Sequence, residues 1–357
     1  MSLDIEAIRR LFPYLQSCLY LNTASVGLSW AGQGAAVARF YDAEKAIGYD
    51  GRDAWHATHM RCRDLIAALL KVPAESVSFC SSTTEALNLV ARAMRLGAGD
   101  EVVVAEDEFP SVHLAWQGAA EAGATIVRVP IRAEDERTDA LIAALRDGTR
   151  VLAVSHVHWC TGTKVDLSRL SQACRARNIR LIVDGVQAVG AVDVDASLAD
   201  FYTASVFKWL LAGFGLALMI TRPDFGQTLR PGILGYHNEP PSSHLRHSHI
   251  NYPGVYALHA SLEYLGSLGW PDVLARVGVL AKTLREALGA EGFSVVTPSA
   301  ASAGIVSIVH PNATDAAARL AHQGVRVEER SGLLRAAPHF YNTEVEILRF
   351  VRLVTGR

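Results

Sequence analysis

Short apolar runs alternate with helix-length amphipathic stretches through the first two thirds of the chain. Val77 to Cys80, Glu101 to Ala105, Ala124 to Val129, Arg150 to Ser155, Leu181 to Val183 and Asp200 to Ala204 each predict a buried strand. Between them, Ser81 to Met94, Asp139 to Arg146 and Leu167 to Arg177 have helical spacing, and Gly215 to Ile220 predicts one more strand. This rhythm predicts an α/β architecture with a mainly parallel sheet of about seven strands flanked by helices. Ahead of it, residues 4 to 16 predict a short helix, Cys18 to Leu21 a brief strand, and Gly32 to Leu70 a helical stretch broken near Gly48 to Gly51. Residues 222 to 253 turn rich in proline, histidine and serine, which marks a loop-rich connector. Helices over Val255 to Gly266 and Pro271 to Leu288 follow, then strands over Gly304 to His310 and near Val325 and Leu334. The expected organisation is an N-terminal segment 1–20, a large domain 21–253 and a smaller α+β domain 254–357.

Composition narrows the class. The 357 residues are 50% hydrophobic and 20% charged with a formal net charge of -2, as in a globular chain with a substantial core. Without a basic excess or long charge blocks, nucleic acid is not an expected partner. The most apolar stretch, Trp209 to Ile220, is too short to span a bilayer, and the charged N-terminus lacks the apolar core of a secretory signal, so a cytoplasmic protein is expected. Cys18, Cys62, Cys80, Cys160 and Cys174 have no CxxC spacing and read as free thiols. His237, His244, His247 and His249 cluster around Pro240-Pro241, which suggests an active-site lid or dimer loop; no metal site is expected.

Candidate chemistry falls at strand ends. Asp184 closes the Leu181 to Val183 run, and in open parallel sheets ligands bind outside the strands' carboxyl ends. Lys208 follows the next run, between Phe207 and Trp209, where partial desolvation lowers an amine's pKa and makes it nucleophilic. Singly, Asp184 also reads as a turn residue and Lys208 as a surface lysine. Together they meet the needs of pyridoxal phosphate: a lysine that captures the aldehyde as a Schiff base, and a carboxylate that keeps the pyridine nitrogen protonated.

The motifs VDGVQAVG and SVFKW resemble the cofactor site of the class V aminotransferase family of fold type I pyridoxal phosphate enzymes. That family includes cysteine desulfurases, kynureninases and isopenicillin N epimerase-like proteins. YLNTAS, SSTTEALNLVA, EFPS, SHV and RAAPHFYNT resemble further family motifs in the same order. The resemblance implies that Thr83, Thr84 and Ser205 hold the cofactor phosphate, Phe109 stacks on the ring, Gln187 bonds near its phenolic oxygen and His156 lies against it or relays protons. It also implies that Arg335 orients the substrate carboxylate and that Asn22, with the segment to Ser25, touches substrate. Read from the residues alone, Ser81 to Glu85 also make an ordinary helix cap, Phe109 and His156 also fit a core, and Arg335 also fits an ion pair or the surface. A buried Arg335 without an evident acidic neighbour would need an external anion, which an amino-acid substrate supplies.

Some positions depart from the desulfurase pattern. Trp159 stands in place of a carboxylate-holding asparagine, Phe207 in place of a histidine, and His249 in place of a threonine that reaches the partner subunit's cofactor in the family's dimers. No cysteine follows Cys174, so a persulfide-forming desulfurase is not expected. The expected function is a homodimeric enzyme, with active sites near the subunit interface, that acts on the Cα amino group of a small amino acid. Lys208 moves the Cα proton and Asp184 supports the ring. Aminotransfer is favoured because it needs no extra catalytic group, with a β-lyase or an epimerase as alternatives on the same scaffold. A cofactor-binding protein without turnover is the alternative of a different class.

Overall fold

The computed structural model describes residues 3–238, 245–300 and 302–356. His244 and Pro240-Pro241 therefore lie outside the described residues. After a short strand β1 (Leu19–Tyr20), the chain supplies β2 (Val77–Cys80), β3 (Glu101–Ala105), β4 (Thr125–Val129), β5 (Thr149–Ser155), β6 (Arg180–Asp184), β7 (Phe201–Ser205) and β8 (Ala217–Thr221). These last seven form one sheet in the order β2-β8-β7-β6-β5-β3-β4. Only β8 runs antiparallel to its neighbours β2 and β7. The expected α/β fold with a mainly parallel seven-stranded sheet is the observed one.

Side chains alternate between the two faces, as strand geometry requires. Val102, Val104, Val151, Ala153, Ile182 and Phe201 pack on one face with Leu87 and Val90 of the helix Thr83–Met94. Val103, Leu152, Val154, Leu181, Val183, Tyr202 and Ala204 pack on the other, with Ile66 and Leu70 of the helix Arg52–Leu70 and Leu170 of the helix Leu167–Ala176. With both faces covered, these strands carry continuous apolar runs.

The C-terminal part holds β9 (Val306–Val309), β10 (Val325–Arg326), β11 (Glu328–Arg330) and β12 (Leu333–Ala336). β11, β12 and β9 form an antiparallel sheet whose core includes Leu284, Leu320 and Phe350. The N-terminal segment joins this part: β1 pairs in parallel with β10, and Phe12 packs on Phe340 and Tyr341. The helix expected over residues 4 to 16 is instead an α-helix Ile5–Arg10 and a 3-10 turn Pro13–Gln16. Pro13 has no N–H to continue the helical ladder, so the chain restarts there.

Candidate active site

Strand parity decides which side chains meet. On β6, Asp184 shares the face of Ile182; on β7, Ser205 shares that of Phe201. Both therefore point to the side covered by the helix Thr83–Met94. That helix begins at the end of β2, where Ser82 caps it by accepting from the Glu85 N–H at 3.1 Å. The Thr83 and Ser205 hydroxyls lie 2.7 Å apart, and the Thr83 N–H donates to Ser205 Oγ at 3.2 Å. Thr84 Oγ1 is 2.7 Å from Ser111 Oγ, just past Phe109. Four hydroxyls thus gather at a helix start, a chemistry suited to a phosphate.

Asp184 is buried and holds one oxygen on the Val186 N–H at 2.9 Å. Burial pushes its carboxyl up to about 6, against the opposing effects of that N–H and of Lys208. A cation placed against Asp184 would restore its ionised form, which is what a protonated pyridine nitrogen provides. Lys208 follows the end of β7. Among the described residues its Nζ has no hydrogen bond or ion pair, only the Phe207 ring 5.6 Å away. Burial, then the positive charge of Arg335, brings its amine down to about 8, with Asp184 acting the other way. The residues around it are braced. Gln187 donates to the Ala24 carbonyl at 2.9 Å and accepts from Trp209 Nε1 at 2.8 Å, while the Gly27 N–H donates to the Phe207 carbonyl at 3.0 Å. A methyl group on Gly27 would collide with the Lys208 carbonyl, so only glycine lets the two segments approach so closely.

An aromatic wall borders this space. The Phe109 and Trp159 rings meet edge to face with centroids 5.7 Å apart, and Trp159 Nε1 donates to the Asp107 carbonyl at 3.1 Å. Beneath them Glu108, fully buried and pushed up by burial, accepts from the Ser155 N–H at 2.9 Å. Asp107 and Glu134 both grip the buried Arg137. Asp107, Glu134 and His158 could by spacing hold a cation, but the Arg137 guanidinium already supplies the positive charge there.

Arg335 of β12 is buried and donates from Nη1 to the Trp159 carbonyl and from Nη2 to Ser25 Oγ, each at 2.6 Å. Its Nε is buried without a partner, and burial lowers its pKa to about 10 despite Glu328. The internal ion pair that the residues alone left open is present: Glu328 Oε2 lies 3.4 Å from Nη2. The antiparallel register sets Glu328 directly opposite Arg335.

Thus Asp184, Lys208, Thr83, Thr84 and Ser205 lie at adjoining strand and helix ends, with Gln187 behind Lys208 and Arg335 close enough to act on its amine. Asn22, whose buried Oδ1 has no partner, bridges to Ala337 beside Arg335. His156 does not face this space. Its Nδ1 lies 3.0 Å from the Tyr202 hydroxyl, on the opposite face of the sheet, and burial brings it down to about 4. One residue beyond Ser155, it points the other way, away from the space that Asp184 and Ser205 face. His237 and His249 flank Tyr236 in an aromatic cluster, and among the described residues no histidine group there has metal-ligand spacing. Ser25, in the segment expected to touch substrate, does meet Arg335, whereas Ser111, Glu108 and Glu328 were not expected at the site; the β11–β12 hairpin was the one available signal for Glu328.

The Aminotransferase class-V family model matches residues 39–353. The chain belongs to the class V aminotransferase family. Enzymes of this family use pyridoxal phosphate, and the hydroxyl cradle, the unengaged Lys208 amine and the elevated Asp184 carboxyl fit that cofactor. The chain is 31% identical over 326 residues to isopenicillin N epimerase of Amycolatopsis lactamdurans, covering 80% of this chain and 82% of that protein. It is 27% identical over 397 residues to a cysteine desulfurase of Klebsiella pneumoniae, covering 98% and 97% respectively. Among solved structures, a C-DES mutant with glycine covalently linked to its PLP cofactor superposes with a TM-score of 0.90 at 21% identity, over 97% of this chain and 98% of that one. The cysteine desulfurase CsdA of Escherichia coli superposes with a TM-score of 0.88 at 23% identity, over 99% and 98%. These two likenesses establish the fold.

Proposed function

We propose that the chain is an aminotransferase that acts on the Cα amino group of a small amino acid. When bound, pyridoxal phosphate supplies an electron sink for negative charge at Cα. Thr83, Thr84 and Ser205 would hold its phosphate, Asp184 would keep a proton on its ring nitrogen, and Phe109 would pack against the ring. Arg335 orients the substrate carboxylate. Lys208 would attach the cofactor through its amine, and the same Nζ would take up and return the Cα proton.

The observation that carries the choice of reaction is that Lys208 Nζ, whose charge is felt by Asp184, has no hydrogen bond or ion pair among the described residues. His156 turns away, and His158 is held by Thr161 Oγ1 at 2.8 Å and the Asp107 carbonyl at 3.0 Å. A single base suffices for the proton shift of aminotransfer. Epimerisation needs proton delivery to both faces of Cα; it remains the second reading because two isopenicillin N epimerases are relatives at 31% and 30% identity. Persulfide transfer finds no support, since no cysteine follows Cys174. Five free thiols, four of them buried, support a cytoplasmic enzyme.

The test uses purified protein loaded with pyridoxal phosphate. The expected results are a visible absorbance band that Lys208→Ala abolishes, and keto acid formation that requires an added keto-acid acceptor. Keto acid with ammonia and no acceptor requirement would indicate a lyase, and loss of chirality without keto acid an epimerase. A band without turnover of any amino acid would indicate a binding protein.

A further inference from the structure

The carboxylate-binding corner contains an acid of its own. Glu328 Oε1 is paired with Arg330 Nη2, while Oε2 takes the Ser25 hydroxyl and lies 3.4 Å from Arg335 Nη2. Its backbone is pinned by the β11–β12 register, opposite Arg335. Three partners and a strand hold this carboxylate in place, so it cannot swing aside as a loop residue would. Two guanidinium groups and one carboxylate leave a single positive charge. Arg335 still has its buried Nε–H to offer. The corner can therefore neutralise one incoming carboxylate and no more.

We propose that Glu328 is a specificity-determining residue that restricts the site to amino acids with a single carboxylate and a neutral or cationic side chain. A ligand seated on Arg335 is necessarily close to Glu328. A short ligand with a second carboxylate brings a like charge well within a Debye length of Glu328, where the two repel. A neutral side chain meets no such penalty, and a cationic one gains a partner. Arg330 does not cancel the effect, because its Nη2 is already committed to Glu328. Glu329, on the other side of the strand, accepts from the Gly332 N–H at 2.7 Å and takes no part.

The proposal rests on the site being that of an amino-acid enzyme, and the experiment separates the two. Propionate and succinate have no amine and cannot react, so each is titrated at matched ionic strength into protein loaded with pyridoxal phosphate, with the change in cofactor absorbance as the readout. Wild type is expected to bind propionate roughly tenfold tighter than succinate. In Glu328→Gln that preference disappears or reverses; in Glu329→Gln it is unchanged. Equal binding of the two acids by wild type, with Arg330 taking the second carboxylate, would overturn the proposal even if Glu328→Gln did not fold. An unchanged preference in a folded Glu328→Gln would do the same. Failure of the wild type to take up pyridoxal phosphate sinks the underlying functional reading instead.

Discussion

At the scale of single residues, the Asp184 and Lys208 pair makes its own pH prediction. Only the neutral amine attacks an aldehyde, and Lys208 is held down to about 8. The rate at which apo protein takes up pyridoxal phosphate should rise with pH through about 8. Asp184 raises the Lys208 pKa, so Asp184→Asn should move that midpoint lower; an unmoved midpoint in stopped-flow absorbance would show that the two charges do not communicate. Asp184 also carries a stability signature. Its folded carboxyl keeps its proton up to about 6 while the unfolded chain releases it near 3.8, so the apo protein loses stability as pH rises between those values. The loss is on the order of 3 kcal/mol. Asp184→Asn should therefore melt higher than wild type at pH 7, with the gain gone at pH 3.5, when calorimetry is done without cofactor.

At the scale of elements, the decisive feature is the convergence of strand ends on a helix start. Ser205 ends β7 and Thr83 begins the helix after β2, and the two strands are separated in the sheet only by β8. Ser205→Ala and Thr83→Val should each weaken pyridoxal phosphate binding by roughly tenfold, the effect of losing one hydrogen bond of about 1.5 kcal/mol to a charged group. The Schiff base should still form, so the absorbance band persists at saturating cofactor. Equilibrium dialysis checks this, and unchanged affinity in both variants would place the phosphate elsewhere.

At the scale of the whole molecule, the site lies on a seam. Lys208 and Asp184 belong to the large sheet, Arg335 and Glu328 to the small one, and the Asn22 to Gly27 segment runs between them, touching Phe207, Gln187 and Arg335. Large apolar side chains stay uncovered on the single chain. Leu234 is 82% exposed, Phe214 67% and Leu114 56%, and Phe214 stacks on Phe207 next to Lys208. Such exposure fits a second copy of the chain beside the site. Sedimentation should give a mass near twice 38.5 kDa, and a double variant Phe214→Glu, Leu234→Glu should sediment as a monomer with weakened cofactor binding. A monomeric wild type would count against the homodimer.

What the sequence determined by itself was local. Apolar runs placed the sheet strands, and their ends marked Asp184 and Lys208, because burial on both faces writes a continuous hydrophobic signal. The helix cap at Ser82 and Thr83 was legible for the same reason: it is made by neighbours in the chain. Which face of the sheet carries the hydroxyl cradle was not legible, since it depends on the side each crossover helix takes; His156 lies on the opposite face for that reason. Nor did the chain reveal that Gln187 ties Ala24 to Trp209, or that Glu328 shares the corner of Arg335 with Ser25. Ser25 and Arg335 are 310 residues apart, and only the pairing of β1 with β10 and the bridge from Asn22 to Ala337 bring them together. Proximity of that kind comes from packing distant segments, and no periodicity within either segment encodes it.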